Sequence, residues 1–237
     1  MAESITRYID HSVLKPTETD EDLRTACRFC IELQVATVCV KPYAVPRAAK
    51  LLAGSGVDVS TVIGFPHGGS ATQVKVAEAR AACAAGAREL DMVVNLGHVL
   101  GQNWDAVAAD IGAVVDAGKQ DGALTKVIVE TGLLPDDALK VRLCEISAHA
   151  GAAFVKTSTG FGFVKQPDGS LTITGATRHD VQLLRAHCAD HIGVKASGGI
   201  RTYAEALQFI RWGATRLGTS STQTIAQQQR AESAVTS

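Results

Sequence analysis

Short apolar runs alternate with longer amphipathic segments along the whole chain. Eight of the runs are rich in β-branched residues and have the length of buried strands. They are Tyr8–Leu14, Val35–Val40, Asp58–Phe65, Glu89–Val94, Leu124–Thr131, Ala153–Ser158, Ile192–Ser197 and Ala214–Thr219. The runs are apolar more often than strictly alternating, which is typical of strands that are covered on both faces of a sheet.

Helical patterns fill the intervals between these runs. They cover residues 19–33, 45–54, 70–86, 103–118, 134–151, 176–188, 202–213 and 220–233. The first has Thr19 as a candidate N-cap, followed by Asp20, Glu21 and Asp22 in the first turn, where the helix dipole favours acidic groups. Several of the patterns end at a glycine, as expected where a helix turns back into a strand.

The alternation predicts an α/β protein with a parallel sheet and crossover helices. Eight strand–helix units are the number that closes a (β/α)8 TIM barrel, and an open doubly wound sheet is the alternative. The length of 237 residues suits a single barrel domain over residues 1–237. Residues from about 230 to 237 are expected to form a frayed tail.

Composition and charge exclude several classes of partner. The chain has a net charge of −1 and no basic cluster, so we expect it to bind neither nucleic acid nor a membrane surface. None of the apolar runs reaches the ~18 residues of a membrane span. The first residues lack a basic start followed by an apolar stretch, so no secretory signal is predicted and we expect a cytoplasmic protein.

The six cysteines are scattered along the chain. Cys27 and Cys30 form a CxxC pair, but no second pair or histidine pair lies nearby in the sequence, and the surrounding pattern is helical. We therefore interpret them as small residues on a helix face instead of a redox or zinc motif. Free thiols would fit a reducing compartment.

Polar residues at the carboxyl ends of the predicted strands are the candidates for chemistry, because barrel enzymes build their sites at that end. The candidates are Asp10, His11, Cys39, Lys41, Asp91, Asn95, Glu130, Lys156, Thr157, Ser158, Thr159, Lys195, Ser197, Gly198, Gly199, Gly218, Thr219, Ser220 and Ser221.

Two lysines among them, Lys156 and Lys195, occupy matching positions on the sixth and seventh predicted strands. Either one alone is equally well explained as a structural lysine paired with a carboxylate. Two close ammonium groups disfavour each other's protonation, and partial burial adds to the effect. The pair therefore predicts an amine that is neutral near pH 7, as a Schiff-base nucleophile requires. Lys126, in contrast, starts its strand and is expected to reach water at the opposite end of the barrel.

Asp91 has apolar neighbours on both sides and is expected to point into the barrel. It is either the ion-pair partner of a lysine or a carboxylate that moves protons near an iminium, and the two roles are compatible.

Two loops indicate an anion site. Gly198 and Gly199 directly follow the seventh strand, and Gly218, Ser220 and Ser221 follow the eighth and open the last helix. The loops after strands seven and eight of a barrel often bind phosphate, and helix N-terminal N–H groups point at the anion. Together with a nucleophilic lysine, they predict a phosphorylated aldehyde or sugar as substrate.

Longer motifs extend over nearly the whole chain. They are "IDHSVLKP" (9–16), "TVCVKPYAVP" (37–46), "TVIGFPHG" (61–68), "ELDMVVN" (89–95), "KVIVETGLL" (126–134), "FVKTSTGF" (154–161), "VKASGGIRT" (194–202) and "RLGTSS" (216–221). With these motifs the chain resembles the deoxyribose-phosphate aldolase family, whose members are class I, Schiff-base aldolases with the barrel fold.

The resemblance implies reversible cleavage of 2-deoxy-D-ribose 5-phosphate to acetaldehyde and D-glyceraldehyde 3-phosphate, in deoxyribonucleotide catabolism, without metal or organic cofactor. By match to the motifs, Lys156 would form the Schiff base, Lys195 would lower its pKa, and Asp91 would be the general acid/base. Asp10 would lie near the reacting hydroxyls. The phosphate would be held by Thr159, Gly160, Gly198, Gly199, Ser220 and Ser221. A homo-oligomer, dimer or tetramer, is usual for the family.

Two positions depart from the family's pattern. Phe161 stands where some members carry a lysine near the substrate, so the phosphate site would depend more on backbone and hydroxyl groups. Lys41 stands where many relatives have Asn or Tyr, and its role is open.

Two other functions compete with the aldolase: a barrel isomerase or lyase that uses Glu130 and Asp91 without covalent catalysis, and a sugar-phosphate sensor without activity.

Overall fold

The computed structural model describes residues 4–235. Eight parallel strands form a closed barrel at its centre, in the order β1-β10-β9-β6-β5-β4-β3-β2. The barrel strands are β1 (Ile9–Val13), β2 (Thr37–Val40), β3 (Asp58–Ile63), β4 (Glu89–Val93), β5 (Leu124–Ile128), β6 (Phe154–Lys156), β9 (Gly193–Ser197) and β10 (Arg216–Thr219). Two further strands, β7 (Phe163–Lys165) and β8 (Leu171–Ile173), form a separate sheet. All barrel strands lie inside predicted runs, so the predicted TIM barrel is confirmed and the open sheet is wrong. That residues 1–237 constitute a single domain stays a prediction.

Nine α-helices lie within the described residues. They are α1 (Asp20–Leu33), α2 (Val45–Leu52), α3 (Thr72–Ala84), α4 (Leu96–Leu100), α5 (Trp104–Gln120), α6 (Asp137–His149), α7 (Arg178–His187), α8 (Tyr203–Arg211) and α9 (Thr222–Val235). The first begins as predicted: the Thr19 side chain accepts from the Asp22 N–H, and the Asp22 carboxylate accepts from the Thr19 N–H at 2.8 Å.

The predicted tail falls mostly on the last helix. Because α9 continues to Val235, the segment from residue 230 is helical up to that point. Residues 236–237 of the predicted tail, and residues 1–3 of the segment in which no secretory signal was predicted, lie outside the described residues. No helix between residues 4 and 235 has the length and apolar character needed to cross a bilayer.

The barrel strands are buried on both faces, which explains their apolar runs. In β2 and β4 every residue is buried. Residues such as Val38, Leu90 and Val127 join the large apolar cluster that packs the strands against the helices. Charged residues occupy the alternate positions of several strands and therefore face the barrel interior.

Cys27 and Cys30 are both buried on α1. Burial raises the pKa of the Cys27 thiol to about 11, so it stays protonated near pH 7. A protonated, buried thiol is a packing group and a poor nucleophile, in agreement with the interpretation from the sequence.

A hairpin that the sequence analysis did not predict lies between β6 and α7. Strands β7 and β8 pair antiparallel, with Phe163 opposite Ile173. The turn between them closes with a hydrogen bond from the Gln166 N–H to the Ser170 carbonyl, 2.8 Å long. The hairpin stands outside the barrel at the carboxyl ends of the strands, beside the cavity described below.

The fifth barrel strand is shorter than predicted. It ends at Ile128, and the predicted continuation to Thr131 is wrong because the backbone turns there. Glu130 has φ +56°, in the left-handed region of backbone conformation that residues other than glycine rarely adopt. This turn points the Glu130 carboxylate at the loop that follows β6.

Candidate active site

The two predicted lysines lie side by side in the barrel. Lys156 on β6 is the register partner of Lys195 on β9, and both are buried. The Asp91 Oδ2 atom joins them, at 2.8 Å from Lys156 Nζ and 2.7 Å from Lys195 Nζ. The three predicted catalytic side chains are therefore in direct contact.

Lys126 belongs to the same group, so its predicted exposure at the opposite end of the barrel is wrong. Its side chain is 0% exposed and lies on the inner face of β5. Its Nζ lies 2.7 Å from Asp91 Oδ1, 2.6 Å from Glu89 Oε2 and 3.1 Å from Asp10 Oδ2. The Lys126 ammonium is therefore stabilised by three carboxylates, and not by water as the prediction required.

Asp10 and Arg216 complete the group. Asp10 Oδ2 accepts from Lys195 Nζ at 2.5 Å, and its Oδ1 accepts from Arg216 at 2.7 Å. Arg216 also donates to Glu89 Oε2 at 3.0 Å. We call these seven side chains the barrel cluster: Asp10, Glu89, Asp91, Lys126, Lys156, Lys195 and Arg216.

The barrel cluster contains four basic groups and three carboxylates, so full ionisation leaves one positive charge in excess. Within it, Lys126 touches three carboxylates, while Lys195 and Arg216 touch two each. Lys156 touches only Asp91, at an oxygen it shares with Lys195. Loss of the Lys156 proton balances the charges at the smallest cost in ion pairs.

The pKa values of Lys156 and Lys195 follow the number of carboxylates that each side chain touches. Burial lowers the pKa of Lys156, the positive charge of Lys195 lowers it further, and Asp91 only partly opposes them. Burial also acts on Lys195, but Asp10 and Asp91 outweigh it and raise its pKa. Lys156 is thus the lysine with the lowered pKa that the pair predicts, whereas for Lys195 two carboxylates outweigh the neighbouring cations.

Lys126 and Asp91 stay ionised. Burial opposes the charge on Lys126, but Asp10, Asp91 and Glu89 raise its pKa well above the ordinary value. Burial likewise would raise the pKa of Asp91, but Lys126, Lys156 and Lys195 hold it well below the ordinary value. Asp91 is thus an anion near pH 7, in contact with three amines.

A cavity of about 540 Å³ opens at the carboxyl ends of the strands, above the barrel cluster. Nine of the ten residues to which the family resemblance assigns a role line it: Asp10, Lys156, Thr159, Gly160, Lys195, Gly198, Gly199, Ser220 and Ser221. Asp91 lies below them and contacts the cavity residues through the two lysines. Gly218 leaves the space that Lys195 needs, because a Cβ there would lie 3.2 Å from Lys195 Cε and 2.8 Å from Ser197 Cβ.

The two predicted anion loops meet at one side of the cavity. A single hydroxyl connects them: Thr219 Oγ1 donates to the Ile200 carbonyl at 2.6 Å and accepts from the Ser221 N–H at 2.9 Å. Gly198 has φ +91° and packs against Gly175, leaving no room for a side chain. This geometry brings backbone and hydroxyl groups to the edge of the cavity, where an anion would find donors.

Thr159 has less freedom than predicted for a phosphate ligand. Its backbone N–H lies 3.1 Å from both Glu130 carboxylate oxygens, and its Oγ1 accepts from the Phe161 N–H at 3.0 Å. The Thr159 hydroxyl proton is the one donor these bonds leave for a ligand. Glu130 is buried and, instead of facing the cavity, holds the loop that follows Lys156.

The remaining candidates have structural contacts. Lys41 Nζ donates to the Lys15 and Glu18 carbonyls at 2.8 and 2.9 Å, so it fixes the loop after β1. The Asn95 side chain caps α4 by accepting from the His98 N–H. Phe161 packs edge-on against Phe65 and forms part of the cavity wall.

Two exposed cations that line the cavity, Lys15 and Arg201, were not predicted as site residues. Both lie within quoted motifs, in the loops after the first and seventh barrel strands, which is the signal that identifies them. The hairpin residues Phe163 and Ile173, which add an apolar wall to the cavity, were not predicted either. Among residues 4–235, no three His, Cys, Asp or Glu side chains are grouped as they would be to hold a metal ion.

Comparison with known proteins finds one family over most of the chain. Residues 5–222 match the sequence model of the DeoC/LacD family aldolases. The deoxyribose-phosphate aldolase of Lactiplantibacillus plantarum is 46% identical over 221 residues, which cover 93% of this chain and 98% of that protein. The deoxyribose-phosphate aldolase of Thermococcus gammatolerans is 47% identical, covering 92% of each.

Solved structures agree in fold. The chain is similar to QR15, an aldolase, with a TM-score of 0.88 and 36% identity, covering 98% of this chain and 99% of that one. It is also similar to the deoxyribose phosphate aldolase of Aeropyrum pernix, described as a unique tetrameric structure. The TM-score there is 0.85 at 33% identity, covering 96% of this chain and 92% of that one.

Proposed function

Because the chain belongs to the DeoC/LacD family of aldolases, we propose that it cleaves 2-deoxy-D-ribose 5-phosphate reversibly to acetaldehyde and D-glyceraldehyde 3-phosphate through a Schiff base on Lys156. Family membership makes it an aldolase, and so a carbon–carbon lyase. The observation that carries the proposal is the state of Lys156: a cavity-lining amine, nearly enclosed, with a lowered pKa and a single carboxylate contact.

The reaction begins with the neutral Lys156 amine. Its lone pair attacks the aldehyde carbon of the open-chain sugar, and uptake of one proton with loss of water leaves a protonated imine. A base removes the proton of the hydroxyl on the third carbon, which becomes the aldehyde of D-glyceraldehyde 3-phosphate as the bond between the second and third carbons breaks. The electrons of that bond form an enamine, and D-glyceraldehyde 3-phosphate leaves. Protonation of the enamine and hydrolysis release acetaldehyde and the free amine. The imine's positive charge would lie beside Asp91, 2.8 Å from the Lys156 nitrogen.

Asp91 and Lys195 would handle the protons together. The low pKa of Asp91 makes it a weak base on its own, but its Oδ2 is shared with Lys195 Nζ at 2.7 Å. A proton can move between this pair and the substrate directly or through water. Asp10, which lines the cavity and holds Lys195 at 2.5 Å, would lie near the reacting hydroxyls.

The phosphate would occupy the side of the cavity where the two anion loops meet. Gly160, Gly198, Gly199, Ser220 and Ser221 would supply backbone and hydroxyl donors there, with Thr159 through its hydroxyl alone. The exposed cations Lys15 and Arg201 line the same cavity. They would supply the positive charge that some family members have as a lysine at the position of Phe161. We propose no cofactor, because lysine chemistry with these loops needs none.

Borohydride trapping tests the proposal directly. The protein is incubated with acetaldehyde, reduced, digested and searched for the added ethyl mass. An adduct on the Lys156 peptide is expected. An adduct on Lys195 would exchange the roles of the two lysines, and no adduct at all would favour the non-covalent isomerase or lyase, or the sensor.

Replacing Lys195 with Met is expected to shift the pH profile to higher pH. The change removes a neighbouring positive charge and leaves Asp91 Oδ2 to Lys156 alone, and both effects raise the pKa of Lys156. Less neutral amine is then present at pH 7, and activity there should fall on the order of 10²-fold. The measurement is kcat/KM as a function of pH, in which the rising limb should shift to higher pH. A limb that does not shift would contradict the role of Lys195.

The assembly and cellular setting are also proposals. The tetrameric relative from Aeropyrum pernix supports a homo-oligomer, dimer or tetramer, as does the family resemblance. We propose that the enzyme works in the cytoplasm, in deoxyribonucleotide catabolism, with a small phosphorylated deoxy sugar as its partner and no role for nucleic acid or membrane.

A further inference from the structure

His11 is a buried side chain that the proposed reaction does not use. It follows Asp10 on β1, and whereas Asp10 faces the barrel interior, the His11 ring packs among the helices outside the barrel. Its Nδ1 lies 2.9 Å from Thr222 Oγ1 on α9, and its ring meets Phe29 of α1 edge-on, with 4.8 Å between ring centroids.

Thr222 is the first residue of α9 and is fully buried. It directly follows Ser220 and Ser221, which line the cavity at its anion end. The helix begins there with the bond from the Ile225 N–H to the Ser221 carbonyl, 3.1 Å long. The direction of the first N–H groups of α9, and of the two serines, therefore depends on how Thr222 is held.

We infer that His11 is a positioning residue for substrate phosphate: by holding Thr222, it fixes the turn of Ser220 and Ser221 in the orientation that meets the anion. The inference rests on the proposed function. His11 itself does not touch the cavity, so it acts through the turn and not as a ligand.

The ring acts through geometry and not through charge. Burial, followed by the nearby charge of Lys15, lowers the pKa of His11 to about 4. The imidazole is therefore neutral near pH 7, and a neutral ring bonds the Thr222 hydroxyl in either tautomer. Without the ring nitrogen, the Thr222 hydroxyl would be a buried polar group without this partner, and the first turn of α9 would shift to find another.

His11→Phe is the central variant, because it keeps a ring against Phe29 and removes the nitrogen. We expect KM for 2-deoxyribose 5-phosphate to rise about tenfold, the effect of one lost hydrogen bond of ordinary strength. Cleavage of 2-deoxyribose, which has no phosphate, should keep its kcat/KM within about twofold. His11→Asn places a polar atom near the former Nδ1 and should restore most of the loss.

Thr222 provides matched variants. Thr222→Val has nearly the same volume without the hydroxyl and should reproduce the effect of His11→Phe, whereas Thr222→Ser should behave like the parent protein. The double variant His11→Phe with Thr222→Val should be no worse than either single one, because both remove the same bond. Thermal unfolding of each variant checks that it is folded, and the Thr222 pair keeps the test valid if His11→Phe does not fold.

Calorimetric titration with inorganic phosphate separates this inference from the proposed function. Weaker phosphate binding in His11→Phe, with or without cleavage of the sugar phosphate by the parent protein, supports the inference. If the parent protein fails to cleave 2-deoxyribose 5-phosphate, the proposed function is wrong. If the variants lower activity on both sugars equally and leave phosphate binding unchanged, His11 has a purely structural role and the inference is overturned.

Discussion

Lys156→Arg removes nearly all turnover while the protein still folds. Arginine keeps a long basic side chain in contact with Asp91, although it adds a positive charge where the neutral Lys156 amine has none, and a guanidinium is not a nucleophile at any accessible pH. We expect kcat/KM to fall on the order of 10⁴-fold, which corresponds to about 5 kcal/mol of lost transition-state stabilisation. Steady-state kinetics measures the loss, and borohydride trapping with acetaldehyde should find no adduct at this position.

The chain contains a matched control for this variant. The tripeptide Phe-Val-Lys occurs twice, at residues 154–156 in the barrel and at residues 163–165 in the hairpin. Lys165 is exposed, so Lys165→Arg should keep full activity and the full trapping yield. Substantial turnover by Lys156→Arg would contradict the assignment of Lys156 as the nucleophile.

Lys126→Met should cost more stability than any exposed lysine substitution. The change leaves Asp10, Glu89 and Asp91 without the one cation that touches all three. Removing one partner of a buried ion pair typically costs about 3–5 kcal/mol, because the other charges stay buried without compensation. For a protein of this size that corresponds to a fall in Tm on the order of 10 °C.

Calorimetry or circular dichroism measures the change in Tm, with Lys119→Met on the exposed face of α5 as the control. An exposed substitution of that kind should stay within about 0.5 kcal/mol of the parent protein. The same variant also affects catalysis: without Lys126, Asp91 pairs more strongly with Lys156 and raises its pKa, so less neutral amine is present at pH 7. An unchanged Tm would mean that the three carboxylates find other partners.

The architecture could be predicted from the sequence because a closed barrel makes each strand apolar on its outer face. Runs such as Glu89–Val94 are then distinct from the amphipathic helices between them, and eight such runs specify closure. The strand ends were less predictable. Glu130 leaves the strand to bond the Thr159 N–H, a contact to a loop 29 residues away that no local pattern reveals.

The grouping of the candidate site's side chains was predicted in part. Lys156, Lys195 and Asp91 were recognised at strand ends, and they meet as expected. Lys126 and Arg216 were missed as members of the same cluster because each lies near the start of its predicted strand, whereas the candidates were taken from the strand ends. The informative signal is a lone charge with an apolar residue after it within a strand, as in Lys126-Val127 and Arg216-Leu217.

The hairpin was missed because its strands are only three residues long and exposed, so they carry no core pattern. A turn signal was nevertheless present. Residues 166–170 read Gln-Pro-Asp-Gly-Ser, with Gly169 at φ +84°, a combination typical of a tight connection between two strands. Turn chemistry was the better guide here than apolar periodicity.

The way this hairpin joins the barrel makes it an exchangeable module. The Thr174 N–H donates to the Gly162 carbonyl at 3.0 Å, so the chain leaves and returns at nearly the same point. Its length and side chains can therefore change by insertion, deletion or grafting while the ends stay in place. Since Phe163 and Ile173 form part of the cavity wall, evolution or engineering can alter which aldehydes fit without touching the strands that carry the reacting groups.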